Sequence, residues 1–395
     1  MRFPDSARRA RIGRRHGLNP AHRLDDPLGV AQALVALHAT DPSTVHLAVA
    51  ARMHDPVVAD VERVLYDDRT LVKQLAMRRT LFAFPVEALP AVWGSAAARV
   101  AAQQRAQLTR DLERHGVSDD GAGWIERART AVLERLSGGA ELTAKQLREE
   151  LPELHGRTKA VEGSRWYVAD LPFAPRLLTL LGAEHHIVRG RNDGHWRTSR
   201  PRWTLTETWL GALPDPLPVA EGYAALVRAW LGAFGPGTEA DLVWWLGATK
   251  AAVRAALIAV DARPVTLDSG ATGFLLPGDD AVDEEPGEPW VALLPTLDPT
   301  LMGWRERDFY VEPELVPHLF DSNGNGGTTA WVDGRVVGCW VQDDDARVRV
   351  IPCAPIGATH RALLDAEADR LTAFLDGVVI SNVYKSRMMK GQPLP

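Results

Sequence analysis

His38 and Thr40, in the stretch Leu34-Val-Ala-Leu-His-Ala-Thr-Asp-Pro42, are the residues best placed by type and spacing to do chemistry. An imidazole with a pKa near 6.5 is largely neutral at physiological pH, so His38 can accept a proton from water. A threonine hydroxyl both donates and accepts, so Thr40 can hold that water. Asp41 is the carboxylate of this segment. Before Pro42 it suits a helix N-cap, and stabilising a positive charge is its other reading. Residues two apart do not share a face of a regular helix. They converge if an apolar helix ends between them, which Asp41-Pro42 favours. The same signals also read as architecture alone, with His38 closing its own helix and Thr40 or Asp41 capping the next.

The elements that must position these residues follow from periodicity. Leu28, Val30, Ala33, Leu34 and Leu37 recur at helical spacing over Asp26 to Leu37. A second helix is predicted from Asp41-Pro42 to about Met53, and a third over Val57 to Leu65. The basic turn Met77-Arg-Arg79 and the strand-like Leu81-Phe-Ala-Phe84 come next. Helix, helix, helix and strand is the winged-helix order. Arg78 and Arg79 precede that strand, where they meet phosphates or make structural ion pairs.

The pattern returns twice. Thr143 and Gln146 have capping-box spacing, a helix is predicted over Ala174 to Leu181, and His186 to Trp203 reads as a hairpin turning at Asn192-Asp-Gly194. Its arms carry Arg189, Arg191, Arg197, Arg200 and Arg202 interleaved with Trp196 and Trp203, a nucleic-acid-binding composition or else a solvated hairpin. Thr238 opens a helix in the third set, Thr249 to Ile258 is recognition-like, and Val265 to Leu276 forms its wing. Leu213-Pro-Asp-Pro-Leu-Pro218 and the acidic 279–288 stretch read as linkers. The remainder is β-rich, with a strand at Trp290 to Leu294, a hairpin turning at Asp333-Gly334 and a closing helix from about Thr359 to Leu375. Ser6 to His16 reads as a short helix capped by Ser6, with Arg14 and Arg15 among five arginines that contact phosphate or face solvent. The predicted class is α+β: tandem winged-helix modules at 1–85, 86–212 and 219–278, then a β-rich domain at 288–395.

The 395 residues carry a formal net charge of −6, so the chain is not a globally basic polyanion binder, although a local basic face remains open to it. The two cysteines fit no zinc pattern, and Glu184-His-His186 with His195 has no standard ligand spacing. The glycine-rich 321–327 stretch lacks the Lys-Ser/Thr of a phosphate cradle. The expectation is a cytoplasmic monomer, nucleoid-associated when on DNA, with no metal or organic cofactor. No apolar run approaches the roughly 20 residues of a membrane span.

Five stretches together carry a resemblance. They are Leu37-His-Ala-Thr-Asp-Pro42, Met77-Arg-Arg-Thr-Leu-Phe82, Phe234-Gly-Pro-Gly-Thr238, Leu294-Pro-Thr-Leu-Asp-Pro-Thr-Leu-Met-Gly-Trp304 and Val332-Asp-Gly-Arg-Val-Val-Gly338. Over nearly its whole length the chain resembles the AlkZ-type winged-helix DNA glycosylases. The resemblance implies tandem winged helices and a β-rich domain forming a C-shaped cradle for double-stranded DNA, from which bulky or crosslinked alkylpurines are excised. It also implies a catalytic motif Gln-Φ-Gln or Gln-Φ-Asp, with Φ apolar, at positions that are His38, Ala39 and Thr40 here. Alkylation at N7 or N3 makes the purine a cationic leaving group, so oriented water suffices for hydrolysis without an acid. A DNA-binding sensor or regulator without catalysis is the main rival reading, and a protein-interaction scaffold is the third.

Overall fold

The computed structural model describes residues 1–159, 170–212, 215–282 and 288–392; parts of both predicted linkers, 213–214 and 283–287, lie outside them. The chain is mixed α/β with several small sheets, 47% helix and 17% strand. It opens with β1 (Arg2–Phe3) and α1 (Asp5–Arg15). Helix α1 starts at Asp5 after Pro4, so Ser6 is not its cap; Asp5 in the first turn and Arg14 and Arg15 in the last suit the helix dipole. Asp26 caps α2 (Pro27–Ala33) by accepting from the Leu28 and Gly29 amides. This helix stops short of the predicted Leu37 because Val35 turns left-handed, at φ 65°. The chain then extends as β2 (Leu37–His38). Asp41 caps α3 (Pro42–Ala50), and α4 (Val58–Glu62) widens into a π turn ending at Asp67. Strands β3 (Leu71–Leu75) and β4 (Leu81–Pro85) form a hairpin. The sheet order is β2-β4-β3. Strand β3 was not predicted, since Lys73 and Gln74 interrupt its apolar pattern.

Helix α5 (Leu89–Val92) runs through a π turn into α6 (Ala98–Arg114), which packs with α7 (Gly121–Leu136). Strand β5 (Leu142–Thr143) leads to α8 (Ala144–Glu150), opened by the predicted Thr143/Gln146 capping box. Then come α9 (Ala174–Ala183), β6 (Ile187–Asn192) and β7 (Pro201–Leu205). The predicted tight turn at 192–194 is instead a loop over 193–200. Asn192 staples it, its Nδ2 donating to the carbonyls of Gly194, His195 and Thr198.

After α10 (Thr206–Leu210) and α11 (Val219–Phe234) come β8 (Gly237–Thr238), α12 (Glu239–Leu246), α13 (Lys250–Ala259), β9 (Arg263–Leu267) and β10 (Thr272–Leu275). Thr238 and Asp241 form a capping box on α12, and Thr249 caps α13. Strand β1 joins β9 in parallel, Arg2 opposite Thr266, so the first residues of the chain complete the sheet of this third unit. The last sheet orders β11 (Val291–Leu294), β12 (Thr329–Val332), β13 (Arg335–Gln342) and β14 (Val348–Pro352) consecutively. The short α14 (Val316–Leu319) precedes β12, and α15 (Ala358–Leu375) covers β11 and β14. The predicted Asp333-Gly334 turn has positive φ at both residues. Gly334 is further required because a Cβ there would lie 2.6 Å from the Arg9 Cβ.

One continuous core runs from Ile12 through the first, third and C-terminal units to Met388, while the 108–203 segment has a core of its own. The shared core is pinned by the 294–304 segment. Arg52 and Asp298 are fully buried and pair in bidentate fashion, at 2.8 and 2.7 Å. Thr300 Oγ1 accepts from Arg52 and meets His16 Nδ1 at 2.8 Å. Thr44 Oγ1 donates to the Thr296 carbonyl. Removing one partner of a buried pair leaves a stranded charge. Asp298→Ala should therefore destabilise the protein by roughly 3–5 kcal/mol. Arg52→Met with Asp298→Leu should recover most of that. Urea midpoints of the single and double variants check this, and a neutral Asp298→Ala would refute it.

Candidate active site on strand β2

His38 sits on an edge strand and not at a helix exit. Leu37 pairs with Ala83 and His38 with Phe82, and the Ala39 amide donates to the Leu81 carbonyl at 2.8 Å. Strand β2 ends at His38, and Thr40 lies in a bend just beyond it, where its hydroxyl meets the Leu81 amide of β4. His38 keeps 4% of its surface, and its ring meets Phe82 edge-on at 5.1 Å. Thr40 is exposed.

The hydrogen bonds set the tautomer. The Thr40 amide donates to His38 Nδ1 over a long 3.4 Å. An amide N–H can only donate, so Nδ1 accepts and the proton of the neutral ring lies on Nε2. Nε2 makes no protein hydrogen bond among the described residues. His38 therefore offers a donor at Nε2, where the expectation was a base. Desolvation, reinforced by Arg78, pushes its pKa down to about 3. Thr40 Oγ1 accepts the Leu81 amide at 3.3 Å, which leaves a hydroxyl proton and one lone pair. Asp41 is fully engaged: Oδ1 takes the Ser43 amide and hydroxyl, and Oδ2 takes the Val383 amide at 3.0 Å. It is a cap and a tie to the C-terminal segment.

Arg78 and Arg79 form the β3–β4 turn, and both are left-handed, at φ 55° and 60°. The Arg78 guanidinium lies 3.9 Å from the Trp244 ring centroid, and desolvation lowers its pKa to about 10. Gly247 allows this approach, since a Cβ there would lie 3.0 Å from the Arg78 amide nitrogen. Arg79 is exposed.

The hairpin arginines divide. Arg191 pairs with Asp67, Arg202 with Asp193 at 2.7 Å, and Arg197 donates to the Val379 carbonyl at 2.6 Å. Arg15 pairs with Asp279, and Arg14 is half-buried on the same helix. Arg200 is exposed. Arg189 has no carboxylate partner among the described residues; it lies 4.6 Å from the Trp203 ring, and desolvation lowers its pKa to about 10. It lines a cavity of about 460 Å³ with Thr143, Thr179, Arg200 and Trp203. Lys73, which the sequence did not single out, faces the adjoining crevices with Arg189, Ala39 and Leu81, and its Nζ contacts Tyr66 Oη at 3.0 Å. A lone lysine inside an apolar strand was the available signal. By register Lys73, Ala83 and Leu37 share a face, so Lys73 and Arg189 lie behind the sheet from His38. Glu184 takes Arg105 and His185 stacks on Trp93, so that cluster is structural; no group of potential metal ligands occurs among the described residues.

A family model described as DNA glycosylase AlkZ-like matches residues 31–374. The chain belongs to the AlkZ-like DNA glycosylase family. Among solved structures it is similar to Streptomyces sahachiroi DNA glycosylase AlkZ, with TM-score 0.72 and 22% identity over 96% of this chain and 98% of that one. At that identity the likeness concerns the fold. A search of curated proteins found no match. The chain is thus a DNA glycosylase-like DNA-binding protein. No single described helix is long and apolar enough to cross a membrane.

Burial of a neutral imidazole has a measurable consequence. Unfolded, His38 takes a proton near pH 6.5; folded, it does so only near pH 3. Stability is therefore full above about pH 6.5 and falls as pH drops toward 3. His38→Gln, which cannot titrate, should flatten the dependence of unfolding free energy on pH in this window by up to about 1.4 kcal/mol per pH unit. Urea titrations between pH 7 and pH 4 test it, and identical slopes would show that His38 protonates normally in the fold.

Proposed function

We propose that the protein hydrolyses the N-glycosidic bond of cationic alkylated purines in double-stranded DNA, with the target nucleotide turned out toward the edge of β2. The observation that carries this reading is the Thr40 amide on His38 Nδ1, which leaves the Nε2–H of neutral His38 as a donor close to a Thr40 hydroxyl that keeps a proton and a lone pair. The remaining Thr40 lone pair accepts from water and orients it toward C1′. The water oxygen bonds C1′ as the C1′–N9 bond breaks. The bonding electron pair returns to the purine and cancels its positive charge, and the water proton passes to solvent. His38 donates to an acceptor on the departing base. No side chain here need become a base, which suits a leaving group that already carries positive charge.

The architecture proposed with this activity is three tandem winged-helix modules, 1–85, 86–212 and 219–278, before the C-terminal domain at 288–395. What supports it is the recurrence of helices followed by hairpins β3–β4, β6–β7 and β9–β10. On this reading the monomer works in the cytoplasm, on the nucleoid. Arg78, Arg79, Arg189 and Arg200, with Arg14 and Arg15 at the margin, contact backbone phosphates. Arg191, Arg197 and Arg202 hold the hairpin through the bonds described above and reach DNA only by exchanging those partners. The full engagement of Asp41 and the donor state of His38 favour a second reading, a non-catalytic damage sensor.

Excision separates the two. On duplex containing N7-methylguanine, Thr40→Val should lower the single-turnover rate at least tenfold with DNA affinity nearly unchanged. His38→Gln, which retains a donor, should stay within a few-fold of wild type, and His38→Phe should fall much further. Because His38 remains neutral, the wild-type rate should be flat from pH 8 to pH 5. A loss of rate centred near pH 6 would show a titrating base instead, and no excision of any cationic alkylpurine would favour the sensor.

A further inference from the structure

Most buried arginines in this protein have a carboxylate partner, even where a sealed Nε has none. Arg52 has Asp298, Arg11 has Asp279 and Arg8 has Asp5. Arg307 is 8% exposed, yet no carboxylate lies within ion-pair distance among the described residues. Its Nη2 donates to the Trp304 carbonyl at 3.1 Å, and its Nε is sealed without a partner. The guanidinium lies 4.1 Å from the Phe320 centroid and 5.7 Å from that of Trp244. Arg78 stacks on the same Trp244 at 3.9 Å, and its Nε is also sealed and unpartnered. Asp241, the buried acid nearby, accepts the amides of Arg305, Glu306 and Thr238 and so does not serve Arg307. Two cations thus converge on one indole, each held by aromatic faces that cannot neutralise it.

An unpaired buried charge is costly, and such a charge persists where something outside the chain completes it. The turn that presents Arg78 is strained as well. Arg78 and Arg79 are consecutive non-glycine residues at positive φ, a conformation that clusters at functional sites. Arginine is suited to this work, because its planar fork stacks on an aromatic ring and still grips a phosphate with two N–H groups.

We propose that Arg78 and Arg307, gathered on Trp244, form a single phosphate clamp for the DNA backbone phosphodiester that flanks the nucleotide presented to His38. This deepens the functional reading above and rests on it. Arg78 lies in the turn between β3 and β4, and β4 carries Phe82, the ring that meets His38 at 5.1 Å. Arg189 and Lys73 lie behind the β2-β4-β3 sheet.

The test is a cycle between protein and DNA charge, with a duplex carrying one neutral methylphosphonate at successive positions around an N7-methylguanine. For wild type, neutralising the clamped phosphate should weaken binding about tenfold. Arg78→Met and Arg307→Met should each weaken binding to ordinary duplex by a similar factor, lower the salt slope by about one unit, and be nearly indifferent to that same methylphosphonate. Arg263→Met, an exposed arginine paired with Asp261, is the control and should keep the wild-type positional profile. If Arg307→Met does not fold, as thermal melting would show, Arg78→Met and Arg307→Lys decide the matter. Variants that lose as much as wild type at every neutral linkage overturn the clamp and leave DNA binding intact. Failure of wild type to bind duplex at all overturns both the clamp and the functional reading.

Discussion

The bidentate pair between Arg52 and Asp298 is the constraint on which the rest of the structure depends. Two fully buried charges are tolerated only when each faces the other and their remaining groups are occupied. Here the Ala48 carbonyl and Thr300 hydroxyl add to the Arg52 fork, whose Nε alone lacks a partner, while the Thr300 amide donates to Asp298. That requirement brings the end of α3, the start of the C-terminal unit and, through His16 and Thr300, helix α1 to one point. The ring cluster of Trp304, Phe234, Phe309 and Tyr310 then fills the adjoining volume. A chain read as separate modules is thereby welded across its first, third and last units. The 108–203 segment, with its own core, remains the distinct body.

Charge in this protein sorts into two kinds. Arginines with carboxylate or carbonyl partners build the fold: Arg11 and Arg15 gather on Asp279, Arg105 on Glu184, and Arg370 on Glu367 and the Ala50 carbonyl. Arginines held chiefly by aromatic rings, Arg78, Arg189 and Arg307, have no carboxylate partner among the described residues, and only Arg307 has a carbonyl, that of Trp304. A ring positions a cation without neutralising it, so these side chains are pre-organised for an anion. Density of arginine along the sequence does not distinguish the two kinds. Arg191, Arg197 and Arg202 lie in the most basic stretch, yet all three bond within the protein.

The site itself depends on one backbone change. Val35 at positive φ ends α2 and lets residues 37–39 extend against β4. Leu37, His38 and Ala39 are all buried there, and the bend that follows exposes Thr40. The same strand aims the Thr40 amide at Nδ1, and this turns the imidazole from an acceptor into a donor. One edge strand thus decides both which side chains meet and which protons they carry.

Much of this was legible in the sequence because it follows from local chemistry. The capping signals at Thr143 and Asp41, the helix opening at Thr238, the Asp333-Gly334 turn, the strand at 291–294 and the closing helix follow from residue type and nearest neighbours, and all are present. His38, Thr40 and Arg78 could be nominated by type and motif. What they do could not, because protonation and burial depend on residues far away in the chain. An apolar run such as Leu34 to Leu37 carries helix and strand periodicity equally well, and the partner strand at Leu81 to Ala83 decides between them. Arg307 and Lys73 escaped notice for the same reason: a single cation among apolar neighbours is unremarkable until folding brings Trp244 and Phe320 around one and Arg189 beside the other. Sequence determined the elements and the cast of side chains. Tertiary packing decided which distant charges were paired, because Arg52 with Asp298 and Arg11 with Asp279 lie 246 and 268 residues apart in the chain.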